Sequence, residues 1–299
     1  MSLFDTLRQE ASLAGFSAFG VARVEPVDRE WVGTYARWLG DGCHATMGYL
    51  ENHQELRSDP AGLLPGALSM ITLALNYYHA EKPLLDAEFA MYAHGEDYHE
   101  TARRLTAPLV AVLSEAGYDS RVCVDTAPVR ERYWALRSGI GFRGKNGMVI
   151  VPGVGSYCFL CEILTTAPLP ATAPLERSCR GCDKCVRTCP GKAIMEGGLI
   201  DARRCASYLS IEHRGDFEPG TVLPGVYGCD ICQQVCPHNR YIPETTVEEL
   251  RLRDSLRDLT VADLREMTQE RFSAVFRKSA VKRAKLAGLQ RNVAHLKKK

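Results

Sequence analysis

The chain has no long hydrophobic run. Its richest apolar stretch, LLPGALSMITLALNYY at residues 63–78, is broken by Pro65, Gly66 and Asn76, short of the roughly 20 apolar residues that a membrane span requires. The opening MSLFDTLRQE lacks both the basic start and the apolar core of a secretory leader. These absences give an expectation of a cytoplasmic protein with no membrane span. Acidic residues are missing from 271–299, which carry ten Lys or Arg, so residues 1–270 hold 27 basic against 36 acidic side chains. The net charge of +1 therefore hides a basic tail on an acidic body, an asymmetry that points to a polyanionic partner. Internal repeats are absent, apart from two cysteine groups.

What is present is 299 residues, 45% hydrophobic and 24% charged, enough for two modest soluble domains. Twelve cysteines in a reducing compartment are better explained by thiolate ligation than by disulfides. Their clustering argues against twelve inert core thiols. SCRGCDKCVRTCP places Cys179, Cys182, Cys185 and Cys189 as CxxCxxCxxxCP, the bacterial ferredoxin run, whose fourth cysteine ligates the other cluster of a pair. YGCDICQQVCP supplies Cys229, Cys232 and Cys236, one thiolate short of a cluster. The expected crossover joins Cys179, Cys182, Cys185 and Cys236 in one 4Fe-4S cluster. It leaves Cys189, Cys229, Cys232 and the isolated Cys205 for the second. A zinc site needs four ligands and would not call for a CP-terminated run twice. Cys158 and Cys161, three apart on a predicted strand, face opposite sides and read as core thiols, as do Cys43 and Cys123.

Periodicity predicts an α+β chain. Residues 1–168 alternate helix and strand: LFDTLRQEASLAG is helical, FSAFGVARV extended, SMITLALNYY a buried strand and YHETARRLTAPLVAVLSEAG a long amphipathic helix. SRVCVD is a short strand, a helix is expected from Pro128 with Asp125 or Thr126 as its cap, and GMVIVP and SYCFLCEILT read as a pair of strands. TTAPLPATAPLE is a predicted linker, followed by a ferredoxin-like segment at 169–240 and a helical basic segment at 241–299. Gly139, Gly141 and Gly144 match GxGxxG, but a predicted helix precedes them and a strand follows, the reverse of a dinucleotide site. Those glycines are expected to close the helix and to let the backbone approach a bulky ligand.

In order, RSDPAGLLPGALSMI, YAHGEDYH, VDTAPVRERYWALRSGIGFRGKN, the ferredoxin run, CASYLSIEHRG and YGCDICQQVCPHN resemble the epoxyqueuosine reductase family over essentially the whole chain. The resemblance implies cobalamin, bound between an N-terminal domain similar to reductive dehalogenases and the two-cluster module. It implies reduction of epoxyqueuosine to queuosine at the tRNA wobble position, with electrons from a flavodoxin- or ferredoxin-type donor and the protein acting as a monomer. Asp125 matches the family's proton donor, a role that requires its carboxyl to be desolvated and protonated near neutral pH. Arg57, Asn146, Ser207, Arg214, Cys229 and Asp230 match cobalamin contacts, and Tyr92, Tyr98 and His99 are candidate pocket residues. The chain has no DxHxxG motif, the usual signal for a histidine replacing the cofactor's lower base.

FRKSAVKRAKLAGLQRN resembles the family's tRNA-facing segment, which implies phosphate contacts from Lys278, Lys282, Arg283, Lys285 and Arg291. Two alternatives share parts of this pattern: a corrinoid reductive dehalogenase or other small-molecule reductase, and an electron carrier without chemistry of its own. Paired arginines occur only internally, at Arg103 and Arg203, unlike an exported dehalogenase. A carrier would leave the N-terminal 168 residues without a purpose.

Overall fold

The computed structural model describes residues 1–82 and 88–297. Four strands form one sheet: β1 (Ala18–Arg23), β2 (Ser69–Asn76), β3 (Ser120–Cys123) and β6 (Cys158–Thr165), in the order β1-β2-β6-β3. Every pairing is antiparallel. The segments predicted as strands are strands, yet β5 (Val149–Ile150) pairs with β4 (Phe142–Arg143) in a separate ribbon and not with β6. β2 is buried along all eight residues, as a central strand covered on both faces should be.

Pleating sorts the two faces. Ile71, Leu73, Leu75, Cys161 and Ile163 pack against Leu7 and Ala11 of α1 (Leu3–Leu13) and Leu109 and Leu113 of α4 (Tyr98–Glu115). Met70 and Leu164 face the other way, toward Trp134 of α5 (Glu131–Arg137). Two further helices, α2 (Arg29–Gly40) and α3 (Gln54–Ser58), lie between β1 and β2 in the chain. Cys43, Cys123 and Cys161 are buried free thiols and Cys158 is half-buried.

The cysteine-rich region has only short helices, α6 (Lys184–Thr188), α7 (Ala206–Ile211) and α8 (Ile231–Gln234). Beyond it, α9 (Asp254–Arg257), α10 (Val261–Arg265), α11 (Gln269–Val275) and α12 (Lys285–Ala294) enclose a core of Leu256, Leu264, Phe272, Phe276 and Leu289. Phe89, Val226 and Tyr227 complete that core, and Val247 and Leu250 reach back into the sheet core.

Two expectations fail locally. α5 begins at Glu131 with Arg130 at the cap position and no side-chain cap; Asp125 is six residues earlier, in the left-handed region at φ 50°, and caps nothing. The glycines of the GxGxxG match do close α5, since Gly139 has φ 70°. Their bareness, however, admits the protein's own backbone: a Cβ on Gly139 would stand 2.1 Å from the Ala173 oxygen and one on Gly141 2.8 Å from the Ile150 oxygen. The predicted linker is also pinned. Thr172 donates its N–H to the Val21 oxygen (2.8 Å), and its Oγ1 accepts from the Val21 N–H (2.9 Å).

Candidate functional site

Asp97 ends the approach to α4 and caps it, its Oδ1 accepting from the His99 N–H at 3.0 Å. The same oxygen lies 2.6 Å from His99 Nδ1, and Asp125 Oδ2 lies 3.0 Å from Nε2. A carboxylate oxygen at each ring nitrogen makes both nitrogens donors, so the ring is an imidazolium. Its pKa is raised to about 9 by the bond to Asp125 first and Asp97 second, against the opposing effect of burial. Tyr98 stacks on Phe159 (centroids 4.0 Å apart) and on His99 (4.1 Å), which fixes the imidazole's plane.

The Asp125 side chain is 54% exposed. In the protein alone that carboxyl faces solvent on one side and the His99 imidazolium on the other. Behind it, the Asp125 N–H donates to Glu131 Oε1 at 2.6 Å. Tyr49 completes this region: its hydroxyl is pushed up to about 12 by burial and by Glu212, with a smaller contribution from Asp125. Arg283 lies over the Tyr49 ring at 5.5 Å and is held by two 2.9 Å bonds to Glu212. On the same side of the sequence as Tyr49, Arg130 covers Tyr35 at 4.2 Å and bonds the Arg57 oxygen.

Cys179, Cys182, Cys185 and Cys236 line one cavity with Lys145, Asn146, Lys184 and His238. The other four thiols raise one another. Cys229 is pushed up to about 11 by burial and then by Cys205, with Cys189 contributing; Cys232 goes up to about 12 by burial, then Cys229 and Cys205. Cys179, Cys182, Cys185 and Cys236 thus lie together and Cys229 and Cys232 lie near Cys205, with none of the eight in a disulfide. Among the described residues no three His, Cys, Asp or Glu side chains converge on a single-ion site. Two sets of four thiols, one of them around a cavity, suit four-iron cages. Gly191 lets the chain fold tightly here, because a Cβ on it would meet the Arg204 oxygen at 1.7 Å.

Asn146 bridges the two groups. It is buried, its Nδ2 faces Cys232, whose thiolate it favours, and that nitrogen has no other partner in the protein. Ser207 is half-buried, and its backbone N–H favours the Cys205 thiolate. Asp230 is half-buried and pushed up to about 6 by desolvation; it accepts from the Met91 N–H at 2.7 Å and so ties the second cysteine motif to residues 88–93. Arg57 is half-buried and donates to the Asn52 oxygen. Arg214 donates to the oxygens of Ile211 and Arg283, each at 2.8 Å.

The tail cations differ in availability. Arg291 donates to Leu209, His213 and Gly215 oxygens and packs on Phe217 at 4.1 Å. Lys278 pairs with Glu100 and Arg283 with Glu212. Lys282 and Lys285 are exposed, and among the described residues neither side chain has an ion-pair partner. Lys298 and Lys299 lie outside the described residues. Asp97, Glu131 and Tyr49 were not anticipated. Asp97, directly before a long helix with glutamate at its third position, carries a cap signal that could have found it.

Sheet domain, paired thiol sets and an imidazolium held between carboxylates together define a redox enzyme supplied through an iron–sulfur module. Residues 178–239 match the 4Fe-4S double cluster binding domain, and residues 57–126 match Epoxyqueuosine reductase QueG, DUF1730. The chain is 38% identical to the epoxyqueuosine reductase of Cyclobacterium marinum, over 97% of this chain and 96% of that one. It is 34% identical to the Vibrio cholerae enzyme, over 94% of this chain and 79% of that one. The fold superposes on an epoxyqueuosine reductase crystallised with an epoxyqueuosine-modified tRNA-Tyr stem loop, with TM-score 0.89 and 28% identity, covering 97% of this chain and 80% of that one. It is also similar to the Bacillus subtilis enzyme captured with its catalytic aspartate loop swung out of the active site, with TM-score 0.86, 27% identity and the same coverage. The chain belongs to the epoxyqueuosine reductase family. Among the described residues no helix is long and apolar enough to cross a membrane.

Proposed function

We propose that this protein reduces epoxyqueuosine to queuosine at the wobble position of tRNA. The observation that carries the reading is the chain-long match to epoxyqueuosine reductases. Removing an epoxide oxygen to leave an alkene consumes two electrons and two protons and releases water. Two 4Fe-4S clusters, on Cys179, Cys182, Cys185 and Cys236 and on Cys189, Cys205, Cys229 and Cys232, deliver the electrons singly.

Cobalamin is the proposed electron acceptor, and when bound it supplies a strongly reducing metal centre beside the epoxide. The residues present suit such a group. Asn146 Nδ2 is a buried donor whose sole protein neighbour is the Cys232 thiol, a shortfall that native folds resolve with a ligand or water. Ser207, Cys229 and Asp230 cluster with the second thiol set, and Arg57 offers a planar fork. Arg214 also keeps its place, as the strut between Ile211 and the tail.

Asp125 is the proposed proton-donating group. His99 recharges it through their 3.0 Å bond, and Asp97 holds His99 in the charged state. For tRNA, the free cations Lys282 and Lys285 are the strongest phosphate contacts, and Lys278, Arg283 and Arg291 shape the surface that presents them.

Electrons are proposed to enter at the Cys179 set, where exposed Lys184 and His238 line the cavity. Residues 177–192 carry five Lys or Arg against one acid, Asp183, which pairs with Arg187. That charge suits an acidic flavodoxin- or ferredoxin-type donor. The test of the reading is to incubate reconstituted protein with epoxyqueuosine-containing tRNA and a strong reductant. Nucleoside mass analysis should show loss of one oxygen; unchanged epoxyqueuosine would reject the assignment.

A further inference from the structure

The turn between β3 and α5 holds Asp125 at φ 50°, a left-handed conformation that non-glycine residues adopt only when held there. Little in the turn itself does so. Thr126 and Val129 donate their N–H groups two residues back, to Val124 and Ala127. Arg103 reaches Thr126 Oγ1 only at 3.4 Å. The bond that fixes the Asp125 backbone from outside is its N–H to Glu131 Oε1, at 2.6 Å.

Glu131 is a firm anchor. It is the first residue of α5, and Tyr133, Trp134 and Ala135 immediately after it are buried against the sheet. Behind it stands Glu162 on β6, fully buried, with neither carboxyl oxygen hydrogen-bonded. In register beside Glu162 lie Thr72 on β2 and Cys123 on β3, and the Thr72 hydroxyl also lacks a partner. Burial and the charge of Glu131 push Glu162 far up, whereas Glu131 reaches only about 7. When two carboxyls are this close, one retains the proton. Glu162 is the one that keeps it, which leaves Glu131 to accept a charge-assisted bond.

We propose that Glu131 is a positioning residue: its carboxylate latches the turn that carries Asp125 and so aims the Asp125 side chain at His99 and the substrate. This rests on the functional reading above only for its catalytic consequence; the latch itself is a property of the fold.

Two variants and one measurement on the parent test it. Amide hydrogen exchange across residues 124–127 of the parent should be strongly protected at Asp125. Glu131→Ala should speed that exchange and lower kcat, each by about tenfold to a hundredfold, the range for removing a hydrogen bond to a charged group. KM for tRNA should stay within about twofold, since the charged tail is untouched. Glu131→Gln retains an acceptor oxygen, so it should restore protection and most of kcat, which a loss of helix packing alone would not allow. An unprotected Asp125 amide in the parent would overturn the latch. So would unchanged exchange in Glu131→Ala, or equal defects in the Ala and Gln variants. If the parent shows the protection yet does not act on epoxyqueuosine tRNA, the functional reading fails and the latch survives.

Discussion

His99 Nε2 and Asp125 Oδ2 stand 3.0 Å apart, and the other ring nitrogen of His99 is 2.6 Å from Asp97. Asp97, His99 and Asp125 thus form one chain of hydrogen-bonded side chains that joins the start of α4 to the turn after β3. Its charged centre is the histidine.

The pH dependence of stability follows from that centre. The His99 pKa rises from 6.5 to about 9 on folding, so its contribution is fully present below pH 6.5 and is lost as pH climbs through 9. Solvent reaches the pair, which limits the effect to about 1–2 kcal/mol. Urea unfolding of the parent and of His99→Gln at pH 6 and pH 10 should show the gap between them closing at the higher pH. A gap that widens would reverse the assignment.

Asp125→Ala should retain iron and bound cobalamin while turnover falls at least about a hundredfold, the lower range for losing a general acid. The absorption spectrum separates this outcome from a damaged cofactor site. An Asp125→Ala protein as active as the parent would remove the donor role.

Replacement of Cys205 by serine should lower iron from about eight to about four per chain and remove one paramagnetic signal. Cys43→Ser, in a buried thiol outside both sets, should leave iron unchanged. Gly191→Ala should resemble the Cys205 variant, because the new methyl drives into Arg204 immediately before Cys205.

Lys282→Ala and Lys285→Ala should each weaken tRNA binding across sequences and reduce the log–log salt slope by about 0.9. Arg291→Ala should instead lower the melting temperature, since it releases three backbone oxygens that the guanidinium now satisfies. Filter binding at several salt concentrations, beside thermal unfolding, distinguishes the two kinds of cation.

Much of this was legible because it depends on spacing. A continuous apolar run marked β2, and ligand counting grouped Cys205 with Cys229, Cys232 and Cys189 across 43 positions of chain. What was not legible depends on contacts between distant segments. Nothing in PVRERYW says that Glu131 reaches back to a backbone N–H, or that β6, a later strand, places Glu162 behind it. The setting of Asp125 was not legible for the same reason: its partner His99 comes from 26 residues upstream. Arg291 looked like its neighbours in sequence and differs from them by bonding three backbone oxygens of residues 209–215.

Thr172, bonded to both backbone groups of Val21, gives the Pro- and Ala-rich connector a second task. β1 is an outer strand, and bare outer strands recruit other chains into aggregates. By lying along that margin, the connector shields the sheet from self-association. Shortening it to bring the two halves closer would expose a sticky border, and the first symptom would be loss of solubility during expression.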